Sequence, residues 1–140
     1  MPTPEDHEPV AAADLVVYVD RSRILPGRLD ELRPAMANLV AFVEAHEPQI
    51  LSYAVYFSED GERMTVVHAH VDASSLAFHL DVAGPEFPAV GEFIELETID
   101  VYGRPSPAVV AELREKASAL GTGRVAVHPL HAGVSHLHGR

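Results

Sequence analysis

Two histidines, His68 and His70, close the apolar run "MTVVHAH" at residues 64–70, and a third, His79, stands on the apolar stripe that Leu76, Leu80 and Ala83 make in the following segment. Imidazole titrates near neutral pH, so it can serve as a general base, a proton carrier or a metal ligand. Residues two apart on a strand share a face, so His68 and His70 can reach one cavity. The same spacing can open a zinc site if Asp100 or His79 completes it. Two ligands define no site, and neither a metal nor a cofactor is expected from this pattern. The chain has no cysteine, which removes thiolate zinc sites, iron–sulfur clusters and cysteine nucleophiles. It has no G-x-S-x-G elbow, phosphate loop or dinucleotide fingerprint. His128, His131, His136 and His138 crowd the C-terminus; such tracts pick up nickel or zinc adventitiously.

The 140 residues favour a single domain with a real core. The formal net charge of −11 argues against a nucleic-acid partner and against anionic membrane surfaces. No apolar run is long enough for a membrane span. The opening "MPTPEDHEPVAAAD" carries no signal-peptide pattern, and residues 1–13 are expected to form a flexible acidic tail. Together with the lack of cysteine, this agrees with a cytoplasmic location.

The elements that must position the histidines follow from periodicity. "LVVYVDR" at 15–21 is rich in β-branched residues and predicts a strand. Leu29, Leu32, Met36, Leu39 and Val43 recur at helical spacing. Pro34 falls within this stretch, which predicts either a late start near Asp30 or distorted first turns. Residues 49–58 and 63–71 read as strands joined by an Asp60-Gly61 hairpin. Asp72 caps a short helix, "ASSLAFHLDVA", and residues 93–103 form another strand. The order β-α-β-β-α-β over 14–103 predicts an α+β, ferredoxin-like domain with a four-stranded antiparallel sheet and both helices on one face. Residues 104–140 extend the same domain. Ser106 caps a helix with Pro107 at its first position, Val110, Leu113, Ala117 and Leu120 make its stripe, Glu112 and Lys116 stand at pairing distance, and Gly121 ends it. Residues 124–130 offer a fifth strand.

On strand 63–71, Thr65, Val67, Ala69 and Val71 alternate with Met64, Val66, His68 and His70. The first set is small and β-branched and is expected to pack under the helices. The second is then left on the bare face. Such an apolar face invites association, and a homodimer through sheet faces is expected, with the histidines beside a cavity at the interface. On 93–103, Ile94, Leu96, Thr98, Asp100 and Tyr102 are expected on one face and Phe93, Glu95, Glu97, Ile99 and Val101 on the other.

The Pro-Gly helix entry in "ILPGRLDEL", the helix ending in "AHEP", the tyrosine-bearing strand "LSYAVYF", the "EDGE" hairpin, the "TVVHAH" strand and the Asp-capped helix containing His79 together resemble the antibiotic biosynthesis monooxygenase family of the dimeric α/β-barrel superfamily. The likeness covers residues 14–103, and "DVYGRPSPAVVAELREKASALG" resembles members with an added helix and strand. The resemblance implies a dimer with a cleft between helices and sheet in each subunit. It also implies oxidation of a small phenolic or quinol-type substrate by dioxygen, without flavin or metal. His79, with His68 or His70, would move the proton. Tyr53, Tyr56 and Tyr102 would line the cleft and orient the ring, with Asp100 a carboxylate beside them. The chain has no tryptophan, a residue that the heme-degrading and polyketide-oxidising branches use in their pockets, so a quinol-type substrate fits best. A non-catalytic ligand-binding or stress-related homodimer of the same fold is the alternative, and a metal binder using the strand histidines is a third.

Overall fold

The computed structural model describes residues 8–139. Its elements run β1 (Val16–Ile24), α1 (Leu29–His46), β2 (Ser52–Phe57), β3 (Arg63–His70), α2 (Ala73–Ala83), a 3-10 turn (Gly84–Glu86), α3 (Phe87–Gly91), β4 (Ile94–Tyr102), α4 (Pro107–Leu120) and β5 (Gly121–His128). The sheet order is β2-β3-β1-β4-β5. The first four strands pair antiparallel. β5 adds parallel to β4, as a strand–helix–strand crossover must. The expected four-stranded antiparallel sheet is therefore a five-stranded mixed one.

Local signals account for most boundaries. Asp72 accepts the Ser75 N–H at 3.0 Å and caps α2. Ser106 accepts from Val109 and caps α4, with Pro107 in its first turn. The hairpin turns at Gly61, whose φ of 73° is the left-handed conformation that glycine tolerates. α1 starts at Leu29 and runs through Pro34, where the proline removes only one early backbone bond.

The helices lie on one face of the sheet, over two apolar clusters. In the first, Leu32, Met36, Leu39 and Val43 of α1 meet Met64 and Val66 of β3 and Ile94 of β4. In the second, Leu76 and Leu80 of α2 and Val109, Leu113 and Ala117 of α4 meet Val16, Ile99 and Val101. The α4 stripe thus turns on Val109 rather than Val110. Lys116 does not pair with Glu112. It reaches inward to Tyr18 and Asp20, because a buried carboxylate competes better than a solvated one.

The expected parity of β3 is reversed. Met64, Val66, His68 and His70 are buried under the helices, and Thr65, Val67 and Ala69 face the uncovered side. The long Leu and Met side chains of α1 leave room that Met64 and Val66 fill, so bulk rather than smallness marks the covered face.

β4 also departs from simple alternation. Its register with β1 shifts between Arg21 and Ser22, which pair with Thr98 and Leu96. The extra residue, Glu97, is a bulge that reverses the inward phase. Ile94 and Leu96 are buried before it, and Ile99 and Val101 after it.

Residues 1–7 of the expected tail lie outside the described residues. The rest is pinned: Val10 is buried and its N–H bonds the Leu137 carbonyl, while Pro9 bridges to His138. No helix among the described residues is long and apolar enough to cross a membrane.

Candidate functional site

A polar row crosses the sheet at the seam between the two clusters. Tyr18 of β1 pairs with His68 of β3, which pairs with Tyr53 of β2. Period-two alternation sends all three side chains under the helices. The rings stack, His68 lying 4.1 Å from Tyr18 and 5.0 Å from Tyr53. α2 lowers His79 onto the row, 4.5 Å from His68 and 5.4 Å from Tyr53. The three sequence-selected histidines therefore meet inside one subunit, not on the uncovered face where His68 and His70 were expected. Each is at most 1% exposed.

Two hydrogen-bonded chains run through the site. His68 Nδ1 lies 2.6 Å from His70 Nε2, and His70 Nδ1 lies 2.7 Å from Ser75 Oγ. Burial, with His79 nearby, holds His68 well below the ordinary imidazole value and brings His70 down to about 3. Both are neutral at physiological pH. His79 is held differently: its Nδ1–H donates to both oxygens of buried Glu47, at 2.8 and 2.9 Å, while its Nε2 is buried without a partner. A carboxylate on one ring nitrogen fixes the tautomer and leaves the other nitrogen's lone pair free to take a proton.

The other half of the site was not read from the sequence. Lys116 of α4 donates to the Tyr18 hydroxyl at 2.7 Å, Tyr18 donates to Asp20 Oδ2 at 2.6 Å, and the ammonium stands 3.6 Å from that same oxygen. Burial raises the Tyr18 phenol well above its usual value, with Asp20 adding to the effect. Burial also pulls the Lys116 ammonium down, with Asp20 opposing. Asp20, Ser22 and Lys116 form the polar wall of a cavity of about 30 Å³ whose apolar wall includes Met36, Leu39 and Met64. Tyr53 and Phe87 border this cavity and also contact His79. Tyr53 borders a second opening as well, a surface groove of about 220 Å³ between the end of α1 and β2 that reaches Glu47. The run "VVYVDRS" placed Tyr18, Asp20 and Ser22 two apart, a signal available in the sequence. Glu47 and Ser75 carried none.

The remaining candidates lie elsewhere. Tyr56 is 58% exposed on the uncovered face. Asp100 and Tyr102 follow the bulge onto that face too, where His128 bonds Asp100 at 2.8 Å and stacks on Tyr102. Arg21 stands 3.7 Å from Asp100. Among the described residues, no group of three or more His, Asp or Glu side chains is arranged to hold a metal ion; His68 and His70 bond each other instead.

No protein-family model matches the chain, and no curated protein matches it. Solved structures do. SnoaB, a cofactor-independent oxygenase from Streptomyces nogalater, superposes at TM-score 0.56 with 20% identity over 67% of this chain and 96% of its own. A candidate antibiotic biosynthesis monooxygenase from Caulobacter crescentus gives 0.59 with 19% identity over 69% and 94%. The chain has the fold of the antibiotic biosynthesis monooxygenases. MupZ from Pseudomonas fluorescens matches more of it, at TM-score 0.68 and 16% identity over 88% of this chain and 95% of that one. A match that long extends past the 14–103 domain into the α4–β5 region.

Proposed function

We propose that this protein is a cofactor-independent monooxygenase that oxidises a small phenolic or quinol-type molecule with dioxygen. The observation that carries the reading is His79, oriented by Glu47 through Nδ1 and left with an unpartnered Nε2 among aromatic rings. Likeness in fold to SnoaB supports it. A groove of about 220 Å³ suits a small substrate, since drug-sized ligands take roughly 300–1,000 Å³. Rotation of Tyr53, which borders groove and inner cavity alike, admits the ring.

The chemistry follows from an ordinary property of phenols: the anion gives an electron to dioxygen far more readily than the neutral form. His79 Nε2 takes the phenolic proton. The phenolate passes one electron to dioxygen, leaving a ring radical and superoxide. These combine by forming a C–O bond at a ring carbon that bears hydrogen. The peroxide accepts the proton held on His79. Loss of that carbon's hydrogen together with the terminal OH breaks the O–O bond, releases water and leaves a carbonyl. A phenol and dioxygen become a quinone and water. The enclosed, aromatic surroundings keep bulk water from quenching the radical pair.

The test is oxygen uptake with a panel of quinols and anthrones, run with and without chelator. His79→Gln keeps an N–H for Glu47 but has no basic nitrogen. It is expected to lower turnover on the order of 10²- to 10⁴-fold with the fold intact. Uptake unchanged in that variant overturns the assignment. Quinol binding without oxygen uptake would identify instead a non-catalytic ligand-binding homodimer of the same fold.

A further inference from the structure

We propose that the 30 Å³ cavity between β1 and α4 is a dioxygen site, with Ser22 and the paired Asp20 and Lys116 as its polar wall. The inference deepens the oxygenase reading and rests on it only for the fate of the bound gas. The volume is enough to admit a water or a diatomic molecule. Most of the lining is apolar: Met36, Leu39, Met64 and Leu96 among others. A neutral diatomic gas prefers such surroundings to water. Ser22 is wholly buried and its hydroxyl has no partner. It projects from β1 opposite Met64 on one side and Leu96 on the other. An orphaned buried hydroxyl is costly, and its survival in an apolar wall points to something that it contacts transiently.

Lys116 supplies the charge. Its side chain is 13% exposed and borders the cavity, and its ammonium rests 4.1 Å from the centre of the Phe87 ring. Asp20 and the Tyr18 hydroxyl keep it protonated in a poorly solvated place. Dioxygen is neutral and makes little demand on that charge at rest. Once the phenolate has transferred its electron, superoxide carries a full negative charge; the Asp20 carboxylate opposes it, and the Lys116 ammonium and the Ser22 O–H already in the wall lower its energy without rearrangement. Tyr53 and Phe87 line the cavity and also contact His79, so the gas site lies one ring away from the proton acceptor.

Paramagnetic relaxation tests occupancy without needing turnover. Methyl groups are observed by NMR in protein equilibrated with oxygen and then with nitrogen. The Met36 and Met64 methyls are expected to relax several-fold faster under oxygen than those of Leu113, which is equally buried but does not border the cavity. Equal enhancement at all three overturns the site, as it would if a trapped water held the space. Ser22→Leu is expected to abolish the excess by filling the cavity. The charge is tested in the double variant Asp20→Asn/Lys116→Met, which leaves no lone buried ion. It should lower kcat/KM for oxygen on the order of 10²-fold while leaving KM for the quinol unchanged. An unchanged kcat/KM for oxygen overturns the role given to Lys116. If no quinol is turned over at all, the role in reduction falls with the oxygenase reading, while the gas site stands or falls on relaxation alone.

Discussion

His68 and His70 give the buried row a cost that depends on pH. Both are kept neutral in the folded chain, His70 titrating at about 3 against 6.5 for free imidazole. Below about pH 6.5 the unfolded state binds protons that the folded state refuses. Stability is therefore fully present above that pH and declines as pH falls toward 3. Each histidine contributes a slope of at most about 1.4 kcal/mol per pH unit. Urea titrations between pH 7 and 4 are expected to show the decline. His70→Gln should be less stable at neutral pH, having lost a nitrogen bonded to His68 or Ser75, yet show a flatter slope below pH 6.5. A slope equal to that of the unaltered protein would mean that His70 is not the titrating group.

At the scale of elements, α4 passes straight into β5 with no connecting residue. A Cβ on Gly121 would stand 2.4 Å from the Leu96 carbonyl oxygen and 2.5 Å from its nitrogen. Gly121→Ala is expected to destabilise by about 1–3 kcal/mol in urea unfolding. Gly84→Ala has open space and helical dihedrals, and should be neutral or stabilising by about 0.4–1 kcal/mol. The element order, the two side-chain caps and the hairpin were legible because each is written in three or four neighbouring residues. Which face of a strand is covered was not. Alternation separates Met64 and His68 from Thr65 and Val67 but does not say which set meets a helix, and here both sets are apolar enough. Asp100 and Tyr102 were misplaced by a single extra residue, Glu97, whose bulge depends on pairing with β1 and leaves no local mark. The site follows the same pattern: its histidines stand out by type, whereas Glu47 and Lys116 read as ordinary surface charges and are buried only by tertiary contacts.

For the whole molecule, the uncovered face sets the expected assembly. Val17, Val19, Val67, Ala69 and Ala54 are only half buried there, with Tyr56 more open beside them. A monomer keeping that face in water carries a substantial apolar patch. We propose that two copies cover it, and sedimentation should then return twice the chain mass of 15.2 kDa. Val67→Arg is expected to convert the dimer to monomer while leaving the helix-covered site in place, because Val67 points away from His68. A monomer in the unaltered protein at working concentration would overturn the dimer, though not the buried row.

The pairing of residues 8–10 with residues 137–139 has its own consequence. Val10 bonds Leu137, and Gly139 bonds the Glu8 carbonyl, so residues 8 and 139 lie side by side. A short peptide could join them into a closed ring without crossing the sheet. New termini could then be opened at the exposed Asp60-Gly61 turn, where a cut parts only a hairpin. In such a permuted chain β2 and β3 would become the outermost pieces of sequence, and the order in which the sheet assembles could be varied while its final form stayed the same.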